Sequence, residues 1–265
     1  AYWDRSKEKT SSQHALFQKY DNFSANDYKE LSEYCDSVGI AFVSTPFDDA
    51  SIEFLDPIMP FYKIASADLV NLPLIKYVSE KFKPMIISTG MSRISEIDDA
   101  VETVRSTGNK NLILLHCNSS YPSTYSEINL KFMDTLKKMY NIPVGFSDHT
   151  TDLLSSKVAI VRGANVIERH FTLNKKMEGP DHILSSTKNE MSELVKYKKF
   201  FDTWKLWKNK NFKNQKIQES VELLLGNGVK KIQPNEYITI NSQKKSLYAK
   251  KKIKRGELFT KNNIS

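Results

Sequence analysis

The stretch VGFSDHT, residues 144–150, decides how the rest of the chain is interpreted. Its β-branched and aromatic residues predict a buried strand, which leads directly into polar side chains without a helix-sized interval. A second stretch, VIERHFT at 166–172, ends in the same way. His149 and His170 are therefore expected to face each other at the ends of neighbouring strands.

Short apolar stretches recur along the chain with helical patterns between them, which predicts repeated βα units and a parallel sheet. Six strands are predicted, at 40–46, 62–66, 85–90, 112–117, 143–149 and 166–172. Amphipathic helices are predicted at 24–39 and 92–108, because apolar residues recur there at helical spacing before a terminal glycine. The predicted fold class is therefore α/β.

Polar side chains stand at the ends of these strands. In parallel α/β proteins, ligands and catalytic groups lie at the carboxyl ends of the strands, because the βα loops converge there. Helix capping would explain any one of these polar ends. It does not explain why histidine, asparagine, lysine and carboxylates occur together, so a functional cluster is predicted.

The composition is that of a globular protein. The chain has 265 residues, 40% hydrophobic and 26% charged, which is enough to bury one large core. No apolar run reaches the roughly 18 residues of a membrane-spanning helix, and no apolar signal segment is present, so we expect a cytoplasmic protein without membrane partners. Cys35 and Cys117 fit neither a disulfide framework nor a zinc spacing, and we expect both to be reduced.

The net charge of +8 suggests anionic partners. Much of it lies in lysine-rich stretches after residue 188. No nucleic-acid-binding motif accompanies these lysines, so we expect a solvated basic face and no nucleic acid partner.

The strand count predicts an incomplete barrel. A closed (β/α)8 or TIM barrel needs eight strands, so the six visible ones would be strands 3 to 8, with two βα units expected upstream. An open six-stranded sheet is the alternative. We expect the barrel in 1–215, a linker in 216–244 and the truncated beginning of a small β-rich module in 245–265.

The paired histidines favour a metal site. His149 and His170 are expected to bind one divalent ion, with Asp148 and Glu168 as carboxylates that orient the two rings. A Gly-Pro turn is expected to present Asp181 toward the same end. A hydrogen-bonded pair of core or capping histidines is the alternative.

Lys63 lies within an otherwise apolar strand. If its side chain points into the barrel, desolvation requires an anionic partner, either Asp68 or a bound phosphate or carboxylate. If it points outward, it only extends its charged end to solvent. With the hydroxyls and helix N-termini nearby, an inward Lys63 predicts an anion site beside the metal.

Seven motifs follow one another between residues 40 and 182: STPFD, YKIASADLVNLPLI, IISTGM, LLHCNSSYP, GFSDHT, IERHFT and GPDH. In this order they resemble the sialic-acid synthase family, the N-acetylneuraminate synthases and their legionaminic and pseudaminic acid relatives. The resemblance implies a TIM barrel, an antifreeze-like (SAF) domain and a domain-swapped homodimer. The stretch SLYAKKKIKRGELFTKNNIS resembles the opening of that second domain.

The resemblance also implies a reaction and residue roles. Carbon C3 of phosphoenolpyruvate would attack the aldehyde of an open-chain N-acetylated aminosugar, water would add at C2, and phosphate would leave with C–O cleavage. His149 and His170 would hold the divalent ion, manganese or else magnesium or cobalt, which polarises the aldehyde. Lys63 and Asp68 would be catalytic. Substrate contacts would come from Ser66, Ser88, Asn118, Tyr121, Ser147 and Asp181.

The chain departs from the family pattern in two respects. Ala67 and Asp68 stand where the family has Gly and Glu, so the carboxylate is retracted by one methylene. The family's glutamate on strand one, its phosphoenolpyruvate-binding lysine on strand two and the arginine of its antifreeze-like domain are expected to lie outside these 265 residues. We therefore expect this fragment to be inactive by itself.

Several alternatives stay open. N-acetylmannosamine and the 2,4-diacetamido sugars are both candidate substrates. A non-catalytic carbohydrate-binding barrel and an unrelated metal-dependent aldolase are the rival functions. Phosphate release separates the synthase from both.

Overall fold

The computed structural model describes residues 9–199, 215–260 and 262–264. The predicted boundary between barrel and linker adjoins residues 200–214, which lie outside the described residues.

Five parallel strands form one sheet, in the order in which they occur along the chain. They are β1 Tyr62–Ile64, β2 Met85–Ser88, β3 Leu112–Cys117, β4 Val144–Asp148 and β5 Ile167–Arg169. Parallel neighbours need a crossover connection, and α-helices supply each one. The sheet curls into half a barrel, which confirms the predicted α/β class.

The helices agree with the predicted pattern. They are α1 Gln13–Tyr20, α2 Ala25–Ser37, α3 Asp49–Leu55, α4 Leu72–Ser79, α5 Ile94–Ser106, α6 Tyr125–Ile128, α7 Phe132–Tyr140, α8 Leu154–Val161, α9 Lys188–Lys199, α10 Gln215–Leu225 and α11 Tyr237–Gln243. The predicted helices at 24–39 and 92–108 are α2 and α5. Ser24 caps α2 by accepting from the Asp27 N–H, while the Asp27 side chain accepts from the Ser24 N–H.

The first predicted strand is wrong. Residues 41–47 belong to no helix or strand, and β1 is the first strand of the sheet. The amide of Ser44 contacts the Sδ of Met59 at 3.0 Å rather than a neighbouring strand. An apolar run becomes a strand only where a partner offers backbone hydrogen bonds.

The two faces of the sheet differ in chemistry. Every second strand residue packs against the helices in one buried cluster, which includes Tyr62, Ile64, Ile87, Leu114 and Phe146. The intervening residues share the opposite face, because side chains alternate along a strand. On that inner face the register places Cys117 beside Ser147, and Ser147 beside Glu168.

The segment that begins with α10 is folded against the sheet's helices. The N–H of Leu130 donates to the carbonyl of Leu224 at 2.8 Å, and the Asn129 side chain bonds backbone groups of Gly228 and Val229. Most of the predicted linker, 216–244, is thus helix or ordered loop in contact with the sheet's helices. Beyond it, the structure shows one antiparallel bridge, Ala249 with Ile264, and the antifreeze-like domain stays a prediction.

Within the described ranges, no helix has both the length and the apolar character needed to cross a membrane.

Candidate active site

A cavity of about 130 Å³ lies at the carboxyl ends of the strands. Its lining includes side chains from all five strands or the loops that follow them, namely Lys63, Ser66, Ser88, Cys117, Tyr121, Ser147, His149, Glu168 and His170. Seven of the ten predicted site residues are in this set. The other three, Asp68, Asn118 and Asp181, lie outside the lining.

A larger cavity of about 820 Å³ lies between α2 and residues 57–60. Its lining contains none of the predicted site residues and no pair of histidines. Chemistry is therefore assigned to the smaller cavity, where cationic, hydroxyl and imidazole groups converge.

Lys63 points into the cavity side of the sheet. Its Nζ donates to Ser88 Oγ at 2.9 Å and lies 3.3 Å from Glu168 Oε2. The side chain is 14% exposed, so its charge needs the compensation that this ion pair supplies. The prediction that Asp68 pairs with Lys63 is wrong. Asp68 lies in the 3-10 turn that follows β1, where its carboxylate bonds the Asn71 side chain instead.

Asp68 is almost completely buried. Asn71 donates to its Oδ1 at 3.3 Å, whereas its Oδ2 has no hydrogen-bond partner. Burial is the main cause that raises the pKa of the Asp68 carboxyl, opposed by the positive charge of Lys245. Such a carboxyl exchanges a proton more readily near neutral pH than an exposed aspartate does.

Glu168 takes a different place from the one predicted. It was expected to orient a histidine ring, but it accepts from Ser147 Oγ at 2.6 Å and pairs with Lys63. The signal was present in the sequence, because a period of two puts Glu168 on the same face as His170. The missing information was that Lys63, on a distant strand, faces the same interior.

The side chains of His149 and His170 lie close together, as predicted. Their ring centroids are 5.3 Å apart, and the Tyr121 ring lies 4.3 Å from His149 and 5.8 Å from His170. Burial lowers the pKa of both imidazoles, and the nearby His149 lowers that of His170 further. Both rings are therefore held in the neutral form that binds metal ions.

The Asn118 backbone fixes the tautomer of His149. His149 Nδ1 lies 2.8 Å from the Asn118 carbonyl oxygen, which can only accept, so Nδ1 carries the proton and Nε2 keeps its lone pair. The Asn118 side chain accepts from Ser123 Oγ at 2.9 Å. Asn118 thus orients a site residue, whereas its predicted contact with substrate stays a prediction.

Asp148 does not orient His149. It lies on the outer face of β4, where its carboxylate pairs with Arg169 and accepts from the hydroxyls of Ser155 and Ser156. Both members of the pair are fully buried. Because adjacent strand residues point to opposite faces, sequence proximity to His149 was misleading here.

Asp181 lies beside His170, with its Oδ2 3.7 Å from His170 Nδ1. Its Oδ1 is buried without a hydrogen-bond partner. The carboxylate can therefore receive a hydroxyl donor from a ligand at the edge of the histidine pair.

The histidine pair fits a divalent ion. A histidine whose second nitrogen donates to a backbone carbonyl is the arrangement common among metal ligands. No group of three or more His, Cys, Asp or Glu side chains suited to a metal ion occurs within the described residues. An ion held here would therefore complete its coordination with water or substrate oxygens, as catalytic sites do.

Fold and cavity together define an α/β protein whose strand ends carry a lysine-and-hydroxyl anion site beside a pair of neutral histidines. The family model described as NeuB family matches residues 1–205, and the chain belongs to that family. The resemblance to sialic-acid synthases predicted from the motifs is thereby confirmed.

Individual relatives are consistent with this family assignment. The chain is 42% identical to an uncharacterized protein of Methanocaldococcus jannaschii, over 97% of this chain and 70% of the relative. It is 38% identical to the N,N'-diacetyllegionaminic acid synthase of Campylobacter jejuni, over 90% of this chain and 66% of that enzyme. The crystal structure of a spore coat polysaccharide biosynthesis protein from Bacillus subtilis superposes with a TM-score of 0.82 at 28% identity, covering 99% of this chain and 73% of that one. The chain thus spans about two thirds of the length of these relatives.

Proposed function

We propose that the complete protein is a synthase that condenses phosphoenolpyruvate with an N-acetylated aminosugar to give a nine-carbon 2-keto acid and inorganic phosphate. The observation that carries this proposal is one cavity of about 130 Å³ bordered by Lys63 and Ser88 on one side and His149 and His170 on the other. The name of the legionaminic acid synthase relative supports the same product class.

The lysine side of the cavity suits phosphoenolpyruvate. Lys63 supplies a positive charge, and Ser66, Ser88 and Ser147 line the same cavity. A phosphate or carboxylate can accept from Lys63, Ser66 and Ser88, whereas the Ser147 hydroxyl already donates to Glu168. Glu168, on the strand at the opposite edge of the sheet, pairs with Lys63 across the cavity.

The histidine side suits the sugar aldehyde. His149 and His170 would hold a divalent ion, proposed to be manganese, which polarises a carbonyl oxygen when bound. The Tyr121 ring packs against both imidazole rings. Asp181, at the edge of this pair, is proposed to accept from a sugar hydroxyl.

The catalytic role predicted for Asp68 stays a prediction, because its side chain bonds Asn71 and lies outside the cavity lining. Its buried carboxyl has a raised pKa and follows Ala67, which lines the cavity. The antifreeze-like domain, the homodimer and the cytoplasmic location predicted from the sequence belong to this proposal as well.

Phosphate release tests the proposal. The complete protein is mixed with phosphoenolpyruvate, Mn²⁺ and either N-acetylmannosamine or a 2,4-diacetamido hexose, with and without EDTA. We expect release that needs one of these sugars, stops with EDTA, and falls at least a hundredfold in His149→Gln.

His116→Gln is the matched control, because His116 is a buried histidine of β3 on the outer face, against Phe132 and Phe146. Its rate should stay within about twofold of the unmodified protein at pH 7.5. Folded, metal-loaded protein that releases no phosphate with any sugar but binds one would instead favour a carbohydrate-binding barrel.

A further inference from the structure

Glu236 is a buried carboxylate that the reaction described above does not use. It lies in the loop between α10 and α11 and is 1% exposed. Its Oε1 accepts from the backbone N–H groups of Met91 at 2.8 Å and Ser119 at 2.9 Å, and its Oε2 accepts from the Gln233 N–H at 2.9 Å. A buried charge is tolerated only where such hydrogen bonds compensate it.

The two amides on Oε1 belong to the loops that build the cavity. Met91 follows β2, which ends in Ser88, and Ser119 follows β3, which ends in Cys117. One carboxylate oxygen therefore ties the carboxyl ends of two neighbouring strands together.

The Ser119 N–H shares a peptide group with the Asn118 carbonyl. That carbonyl accepts the Nδ1 proton of His149 at 2.8 Å. The planar peptide thus has the Glu236 carboxylate at its N–H and the His149 imidazole at its C=O. Hydrogen bonds arranged in such a chain polarise and strengthen one another, so a negative charge at one end makes the carbonyl a better acceptor at the other.

Neighbouring contacts hold Glu236 in position. The Asn118 side-chain amide lies 3.4 Å from Asn235 Oδ1. Lys244 Nζ donates to the Met91 carbonyl at 2.9 Å and to Glu96 at 2.7 Å. Residues 233–244, the docking segment, therefore contact both loops, and Gln243 reaches the cavity lining.

We propose that Glu236 is a positioning residue that fixes the Nδ1-protonated tautomer and the orientation of His149 through the 118–119 peptide. Through that orientation, the Glu236 carboxylate also sets how tightly the histidine pair binds a divalent ion. The ion-binding half of this inference rests on the proposed function, whereas the tautomer half does not.

The test compares Glu236→Gln with Glu96→Gln in the complete protein. The first variant keeps the size of the side chain but removes its charge and one acceptor. The second loosens the same docking segment through Lys244 and leaves the 118–119 peptide untouched. Two quantities are measured: the ring ¹⁵N chemical shifts of His149 in metal-free, ¹⁵N-histidine-labelled protein, and the Kd for Mn²⁺ by calorimetry.

In Glu236→Gln we expect the His149 ring nitrogens to move from the pattern of a single Nδ1–H tautomer toward a mixture. Mn²⁺ affinity should fall about 10- to 100-fold, the usual effect of losing a group that orients a metal ligand. Glu96→Gln should keep the wild-type shifts and an affinity within about twofold. Unchanged His149 shifts in Glu236→Gln, or equal changes in both variants, would overturn the proposal.

Two further variants keep the result interpretable. If Glu236→Gln does not fold, Glu236→Asp, which retracts the carboxylate by one methylene, takes its place under the same criteria. In His149→Gln, an unchanged Mn²⁺ affinity would refute the histidine metal site of the proposed function. The ring nitrogen shifts of His149 in the Glu236 variants would still decide the positioning role.

Discussion

Strands β4 and β5 carry charged groups on both of their faces, and the two sets behave differently. On the outer face, Asp148 and Arg169 are fully buried, and the Asp148 carboxylate and Arg169 guanidinium bond each other, nearby hydroxyls and backbone carbonyls. On the inner face, Glu168 is 37% exposed and pairs with Lys63 across a cavity. Glu168 and Arg169, adjacent residues of β5, thus lie in two different environments: Glu168 borders the cavity, whereas Arg169 belongs to a buried ion pair.

The difference lies in how completely each group is satisfied. The outer pair is closed to any ligand, because protein groups occupy the donors and acceptors of both side chains. The inner groups border open volume, and Asp181 nearby has an unpaired carboxylate oxygen. Charge on the outer face therefore stabilises the fold, whereas charge on the inner face is available for chemistry.

Removing one partner of the outer pair should have the largest effect on stability. Arg169→Met leaves Asp148 as an uncompensated buried charge, so the free energy of unfolding should fall by about 3–5 kcal/mol. Urea denaturation followed by circular dichroism measures the change. Arg162→Met is the control, because Arg162 pairs with Asp134 at a more exposed site and should cost at most about 1 kcal/mol. Equal losses in both variants would contradict the assignment of the outer pair.

A smaller change in the free energy of unfolding is expected when the pH is lowered, because of His116, another residue on the outer face. Burial lowers the pKa of His116 from 6.5 to about 3. The folded protein thus binds fewer protons than the unfolded chain between these values, so the stability contributed by neutral His116 is complete above about pH 6.5 and is lost as the pH falls toward 3. Between pH 7 and 5.5, metal-free wild type should lose about 1 kcal/mol more than His116→Gln.

Urea titrations at the two pH values give this difference directly. His149 and His170 are present in both proteins, so their contributions cancel in the comparison. Parallel pH dependences of the two proteins would show that His116 is not held neutral in the folded state.

A substitution on the inner face should change the free energy of unfolding least but should clearly lower phosphate release. Glu168→Gln removes the charge that faces Lys63, and because the site is partly exposed, the free energy of unfolding should change by at most about 1 kcal/mol. Phosphate release should nevertheless fall about tenfold or more, since Lys63 loses the group that orients it. A large loss of stability with unchanged phosphate release would reverse the roles assigned to the two faces.

Much of the fold followed from sequence pattern. The strands β1 to β5 and helices α2 and α5 were predicted from apolar spacing and terminal glycines, because these signals are local. The strand predicted at 40–46 failed since a strand also needs a partner, and periodicity does not report one.

Only part of the site was predicted, because sequence periodicity does not report which distant residues meet. The polar ends of β1 to β5 were visible, and the motifs identified His149, His170 and Lys63 as members of one site. The pairing of Lys63 with Glu168 was not visible, because it joins strands that are 105 residues apart along the chain. Which carboxylate reaches which cation depends on curvature of the sheet rather than on sequence neighbours.

The sequence by itself determined the family, the alternation of strands and helices, and the residue types that meet at the strand ends. Only the tertiary structure decided that Glu168 pairs with Lys63 across the cavity, and that Glu236, 117 residues after Ser119, joins the loops around it. Local patterns report propensity and periodicity. The environment of a charge is set by the elements that bury it, and these come from distant parts of the chain.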